Sequence, residues 1–193
     1  MVLEQHKQYY KEIFALEGFF QSPFLMFGYQ EMSKKYYGVR DFIEFLLKRD
    51  IEVTVLDYLD QRADLIHDMN KPIPEQYILA YNTFCDIGCL EHVFDTNQCI
   101  RNCLNMVAVD GLYVLHTPVA GYVEHGLHTF NANMLIWVVE NNGFEIVYKQ
   151  YSSKAGERLS SPQGNALLWL VAKRREVTNF KIPMQTRRDI IEA

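Results

Sequence analysis

Apolar and polar positions alternate along this chain in short blocks, and their spacing separates helices from strands. Over residues 3–17, Tyr9, Tyr10, Ile13, Phe14 and Leu16 share one face ahead of Gly18, which predicts an amphipathic helix. A short apolar run, Phe24-Leu25-Met26-Phe27, stands between Pro23 and Gly28; so short a run between two breakers predicts a buried parallel strand. Residues 33–48 place Val39, Phe42, Ile43, Leu46 and Leu47 at i, i+3, i+4, i+7 and i+8, which predicts a helix. The β-branched stretch 51–56, ending in Asp57, predicts a second strand. Shorter runs predict a third at 64–68 and a fourth at 77–82, either side of a loop enforced by Pro72 and Pro74.

In the second half, Asp95 followed by Gln98 reads as a helix-capping pair, with Ile100, Cys103, Leu104 and Val107 as the buried stripe. Asp110-Gly111 turns into a strand at 112–116. A helix follows at 133–142 and closes at Gly143, and strands are expected at 144–151 and 166–173. The polar stretch 152–165, with Gly156, Pro162 and Gly164, reads as a flexible connection. Strands and helices therefore alternate until the last two strands, which follow each other without a helix. That order predicts an α/β fold: one doubly wound, mostly parallel seven-stranded sheet with a single antiparallel strand and helices on both faces. The expected organisation is an N-terminal helix over 1–20, one Rossmann-like domain over 21–175, and a tail over 176–193.

Composition narrows the function. With 49% apolar and 22% charged residues among 193, the chain is an ordinary globular one of single-domain size. Its net charge of −5 lacks the basic surplus of a nucleic-acid binder, so no nucleic-acid partner is expected. Lys173, Arg174, Arg175, Arg187 and Arg188 read as a solvated tail. No apolar run is long enough to span a bilayer, and the polar start is no signal peptide. Cysteines 85, 89, 99 and 103 cluster rather than spreading as a disulfide framework would, so reduced thiols and a cytoplasmic protein are expected. Oligomeric state is not legible; a dimer is compatible with everything above.

In open α/β sheets ligands bind beyond the carboxyl ends of the strands. The residues to read are therefore Phe27-Gly28-Tyr29-Gln30 after the first strand, Asp57-Tyr58 after the second, Asp68-Met69 after the third and Asn82 after the fourth. A carboxylate such as Asp57 suits a ribose because it accepts from both hydroxyls, although it could equally cap a loop. Among the histidines, His92, His116, His125 and His128 are candidate bases. His125 ranks first, in a loop expected to overhang the pocket. Cys89, His92, His125 and His128 have spacings that local metal ligation permits, but the pairs sit on different segments, and the cysteines fit helix cores as well; no metal is expected. The signatures of a P-loop, a metalloprotease helix and a hydrolase nucleophile elbow are absent.

Asp68-Met-Asn-Lys-Pro-Ile-Pro74, then Leu90-Glu91-His92-Val93, then Gly111-Leu-Tyr-Val-Leu-His-Thr-Pro118 resemble the Rossmann-like (class I) methyltransferases that use S-adenosylmethionine, over roughly residues 20–175. His125-Gly126 and Phe130 resemble a segment of methyltransferases acting in glycan and nucleotide-sugar pathways. The resemblance implies S-adenosylmethionine as cofactor, with Asp57 on the ribose, Asp68 near the adenine amino group and Met69 on its ring. Gly28 would lie beside the methionine part, and Asn82 at the methyl-transfer end. It implies transfer to a small-molecule or glycan/nucleotide-sugar acceptor, at oxygen, with His125 as base. One departure stands out: where the family's first strand runs into G-x-G-x-G, this chain has Gly28-Tyr29-Gln30. That favours an alternative, a methyltransferase-like module that binds or assembles without catalysis.

Overall fold

A computed structural model describes residues 4–184; Leu3, at the start of the first expected helix, and Arg187 and Arg188 of the expected tail lie outside the described residues. Eight strands are β1 (Phe24–Phe27), β2 (Val53–Asp57), β3 (Leu65–Ile66), β4 (Tyr81–Ile87), β5 (Val107–Ala120), β6 (Phe144–Ser153), β7 (Arg158–Leu159) and β8 (Ala166–Arg174). They form one sheet in the order β3-β2-β1-β4-β5-β8-β6-β7. Strands β1 to β5 pair in parallel, and β8 runs antiparallel between β5 and β6. The expected antiparallel strand is therefore present, but the sheet has eight strands rather than seven. The extra one, two-residue β7, forms inside the stretch read as a connection and pairs antiparallel with β6 through Tyr151 and Ser152.

Alternation along the strands builds two cores. Leu25, Phe27, Phe84, Tyr113, Leu115, Leu168 and Leu170 point to the face covered by α4 (Thr96–Met106) and α5 (Ala132–Asn141). Their neighbours Phe24, Met26, Cys85, Leu112, Val114, Trp169 and Val171 point to the other face, under α1 (Lys7–Phe14) and α3 (Phe42–Leu47). Both faces of the central strands are buried, as a parallel sheet between helix layers requires. Asp95 caps α4 as expected, its Oδ1 accepting the Gln98 N–H at 3.0 Å.

Three expectations are corrected. Residues 33–48 are two helices: α2 (Lys34–Tyr37) closes at Gly38, and Asp41 starts α3 by accepting the Ile43 N–H at 2.8 Å. The apolar stripe begins only at Val39, so its periodicity belonged to the second helix alone. The fourth strand is Tyr81–Ile87, not 77–82; residues Glu75–Tyr77 form a 3-10 turn. Polar Asn82, Thr83 and Asp86 hid that strand from a search for apolar runs, yet each finds a partner: the Thr83 hydroxyl, for instance, donates to the Phe19 carbonyl at 3.0 Å. Finally, Arg174 is not part of a solvated tail. It is 3% exposed and donates from one guanidinium nitrogen to the carbonyls of Leu104 and Val107 at 2.6 and 3.1 Å, closing the carboxyl end of α4. The four cysteines are free thiols.

Candidate functional site

Strand order reverses between β1 and β4, the two strands on which the sheet starts in opposite directions. The crevice at their carboxyl ends is where such sheets bind ligands. Two cavities meet there, sharing His92 as a wall.

The first cavity, about 240 Å³, is lined by Phe27, Gly28, Asp57, Tyr58, Asp68 and Met69 together with Asn70, Cys89 and His92. Gly28 has φ +70, and a Cβ there would lie 2.9 Å from Cys89 Sγ and 3.8 Å from Asp57 Oδ2. The β1 turn thus leaves only backbone opposite the Asp57 carboxylate. Asp57 Oδ1 accepts the N–H groups of Leu59 and Asp60 at 2.8 and 3.1 Å, which orients the carboxylate and turns Oδ2 toward Gly28. On the far wall, Asn102 of α4 pins the 69–73 loop: its Nδ2 donates to the Met69 and Lys71 carbonyls, and its Oδ1 accepts the Ile73 N–H. Asp68 Oδ1 accepts from the backbone and side chain of Asn70, and these hydrogen bonds hold its carboxyl below the usual range. Cys89 donates its thiol hydrogen to the Phe27 carbonyl at 2.9 Å, and burial pushes that thiol's pKa well up, so it stays protonated.

Tyr29 and Gln30 line not this cavity but another of about 480 Å³, with Glu31, Arg40, Asp41 and Arg62. The Tyr29 hydroxyl donates to the Arg62 carbonyl at 2.7 Å, and buried Gln30 donates to the Ile87 carbonyl at 3.1 Å. Asn82 is placed differently from expectation. As the second residue of β4 it lies at the strand's amino end, where its amide donates to the Ser22 carbonyl, away from the crevice. The residues that do end β4 and open toward the crevice are Ile87, Gly88 and Cys89.

The second cavity, about 280 Å³, opens over β4 and β5 and is lined by His6, Gly88, Glu91, His92, His116, Tyr122, His125 and Lys154, among others. The turn that forms its floor is held by Asp86, whose Oδ1 accepts the N–H groups of Cys89 and Leu90 at 3.0 and 3.4 Å. Asp86 is fully buried, and desolvation, with the Glu91 charge next, raises its pKa to about 8. Glu91 is 1% exposed. Its Oε2 accepts the Thr117 hydroxyl at 3.0 Å, and its Oε1 lies 3.8 Å from Nε2 of half-exposed His125. His125 therefore does overhang a pocket. His116 stacks on Trp169 at 3.8 Å between ring centroids, with both ring nitrogens buried and without a hydrogen-bond partner among the described residues; burial lowers its pKa well below the usual value, so the ring is neutral. Tyr122 and His125 come from the one loop, 117–131, that the sequence offers as a pocket wall; Glu91 stands there only within a motif, and nothing in the sequence marks His6 and Lys154, which converge from distant segments.

The fold so defined is the Rossmann-like fold of S-adenosylmethionine-dependent methyltransferases. Among solved structures, the chain is similar to a 1,6-didemethyltoxoflavin-N1-methyltransferase of Burkholderia thailandensis bound to its substrate and S-adenosylhomocysteine, with a TM-score of 0.55, 14% identity, and coverage of 90% of this chain and 79% of that one. It is also similar to the N-methyltransferase NodS of Bradyrhizobium japonicum in complex with S-adenosylhomocysteine (TM-score 0.55, 17% identity, 90% and 87% covered). A methyltransferase of Archaeoglobus fulgidus matches at a TM-score of 0.54 and 9% identity, over 88% and 94% of the two chains. No protein-family profile and no curated protein sequence matches the chain.

Proposed function

We propose that this protein is an S-adenosylmethionine-dependent methyltransferase acting on a small-molecule or glycan/nucleotide-sugar acceptor, at oxygen, in the cytoplasm. Residues 21–175 are its working unit, 1–20 its covering helix and 176–193 its tail. The observation that carries the reading is the pairing of Gly28 with Asp57 across the carboxyl ends of the neighbouring strands β1 and β2, beside the strand-order reversal. A carboxylate oxygen faces the bare backbone of Gly28, the arrangement a ribose with an attached chain needs. Asp57 and Tyr58 would hold the ribose, Asp68 and Met69 the adenine, and Phe27, Gly28, Tyr29 and Gln30 the methionine end. When bound, the cofactor supplies a methyl group on a positively charged sulfur, already activated, so most of what remains for the protein is alignment. The second cavity is the acceptor's place, next to the first across His92. His125 lines it, with Nε2 3.8 Å from Glu91 Oε1, and would serve as the base that takes the proton of an acceptor hydroxyl.

Thermal denaturation with S-adenosylhomocysteine tests this. Ligand at 100 times its dissociation constant adds about 2.7 kcal/mol to stability. Asp57→Ala should weaken binding by about 1.5–3 kcal/mol, the scale of hydrogen bonds to a charged group, and leave the fold intact. A folded protein that shows no shift at millimolar ligand overturns the reading and leaves the non-catalytic module.

A further inference from the structure

The acceptor-side cavity contains a cluster that proton transfer alone does not account for. One ligand-type atom from each of Glu91, His92 and His125 lies within 4.8 Å of the other two. The three come from two segments, the 3-10 turn Leu90–His92 after β4 and the loop after β5. Their meeting is built into the backbone. The Glu91 carbonyl accepts the N–H groups of Leu127 and His128 at 2.9 and 3.1 Å. A Cβ at Gly126 would come within 2.9 Å of that carbonyl and 3.1 Å of the Glu91 Cγ, so only a glycine lets the loop dock this closely. That docking carries His125 over Glu91.

The carboxylate at the centre is buried, and burying a charge without a counter-charge is costly. The Thr117 hydroxyl donates to one of its oxygens at 3.0 Å, and the other lies 3.8 Å from His125 Nε2, too far to share a hydrogen bond. A second observation points to a ligand in the same cavity: His116, buried on its floor, has two ring nitrogens without partners.

We propose that Glu91, His92 and His125 form a binding site for one divalent transition-metal cation. Two imidazoles and one carboxylate suit zinc, manganese, iron or cobalt; magnesium and calcium prefer all-oxygen sites. A cation at ordinary bond lengths draws such atoms to roughly 3–3.5 Å from one another. Both histidines are exposed, so small side-chain rotations close the present gaps, while Thr117 keeps the second carboxylate oxygen oriented. The remaining coordination positions face the cavity. Cys89 and His128, which spacing alone would add, are committed elsewhere: the first to the Phe27 carbonyl, the second through Nε2 to the Phe94 carbonyl at 3.1 Å. The site itself does not depend on the methyl-transfer reading. Only its consequence rests on it: in the loaded protein His125 is a ligand, and the cation acidifies an acceptor hydroxyl that then loses its proton to water.

The test uses the full chain, stripped with chelator and titrated with Mn²⁺, Co²⁺ and Zn²⁺ by calorimetry, with Mg²⁺ as comparison. One equivalent per chain is expected, with Mg²⁺ much weaker, and a Co²⁺ absorption spectrum free of thiolate charge transfer. His92→Ala and His125→Ala, both at exposed positions that do not threaten folding, should each weaken binding by about 10–100-fold or more, and His128→Ala should not. Absence of stoichiometric binding, a thiolate band, or unchanged affinity in the His92→Ala/His125→Ala double variant overturns the proposal. S-adenosylhomocysteine binding measured on the same samples separates the failures: a retained cofactor shift without metal binding sinks the cation site alone.

Discussion

Asp86 offers a quantitative test of how the turn between the two cavities is held. Its carboxyl is fully buried, Oδ1 accepts the N–H groups of Cys89 and Leu90, and the Tyr113 hydroxyl lies beside the carboxyl. Desolvation, assisted by the Glu91 charge, raises its pKa from 3.8 to about 8. The native protein therefore keeps this proton through a range where the unfolded chain has lost it. With more protons bound in the native state, stability falls as pH rises from about 4 to about 8 and is flat above that. The whole span is worth on the order of 5 kcal/mol, at about 1.4 kcal/mol per pKa unit.

Asp86→Asn preserves the acceptor oxygen that holds the turn and removes the titration. Its amide puts a second buried N–H where the carboxylic acid had none to place, which costs about 1–3 kcal/mol. The variant should accordingly be less stable than the parent at pH 5 and gain on it steadily, drawing level or overtaking by pH 8.5. Urea denaturation of both proteins across that range gives the difference directly, and the buried histidines His6 and His116, whose lowered pKa values shape the acid limb of each curve, cancel in it. Glu91→Gln should narrow the pH range over which stability falls and so the total loss, since the Glu91 charge is the second cause of the shift. A stability difference that does not change between pH 5 and 8.5 would refute the assignment of a protonated Asp86.

Two further outcomes follow from the cofactor side. Gly28→Ala forces a side chain into a φ of +70 and against Cys89 Sγ; it should cost about 1–3 kcal/mol of stability and weaken S-adenosylhomocysteine, and adding Cys89→Ala should restore part of both in a double-mutant cycle. Arg40→Met should weaken S-adenosylhomocysteine by about tenfold, for a loss near 1.4 kcal/mol, yet leave methylthioadenosine, which lacks the amino-acid end, bound as before; equal loss for both ligands would place the amino-acid end elsewhere.

What could be read from the sequence was whatever is local. Phe24–Phe27 between Pro23 and Gly28, the Asp95 cap and the unbroken apolar run at 166–172 all carry their structure within a few residues. The first cavity shares that property, because residues at or just after strand ends, such as Gly28, Asp57 and Met69, line it directly. β4 was misplaced because its polar residues are satisfied by partners on remote segments, such as Phe19 for Thr83. Asn82 was misplaced along with it. The second cavity is the extreme case: His6, Glu91, His116, Tyr122 and Lys154 reach it from five segments, His6 with its ring 5.3 Å from that of Trp169 and Nε2 at 3.3 Å from the Ser153 carbonyl. No local pattern marks such a convergence.

The turn at Gly28-Tyr29-Gln30 bears most directly on whether the fold still works as an enzyme. In a glycine-rich turn the ligand approaches backbone along its whole length. Here it can do so only at Gly28, since Gln30 is buried and ties the end of β1 to the Ile87 carbonyl at the end of β4. That cross-strand tie stiffens the strand-order reversal by a side chain rather than leaving it to a ligand. Tyr29 leans the other way, its hydroxyl on the Arg62 carbonyl and its ring 4.4 Å from the Arg62 guanidinium carbon. The space beside these two residues is walled by Glu31 and Asp41 on the one hand and Arg40 and Arg62 on the other. Charges of both signs around one opening suit the ammonium and carboxylate of an amino acid better than an apolar group or a phosphate. Arg62 is already engaged by Asp60, which leaves Arg40 as the guanidinium to examine first. On this argument the departure from the glycine pattern does not by itself remove a cofactor. In the proposed function, recognition of the amino-acid end would rest on side chains rather than backbone N–H groups, and methylthioadenosine against S-adenosylhomocysteine is the comparison that exposes the difference.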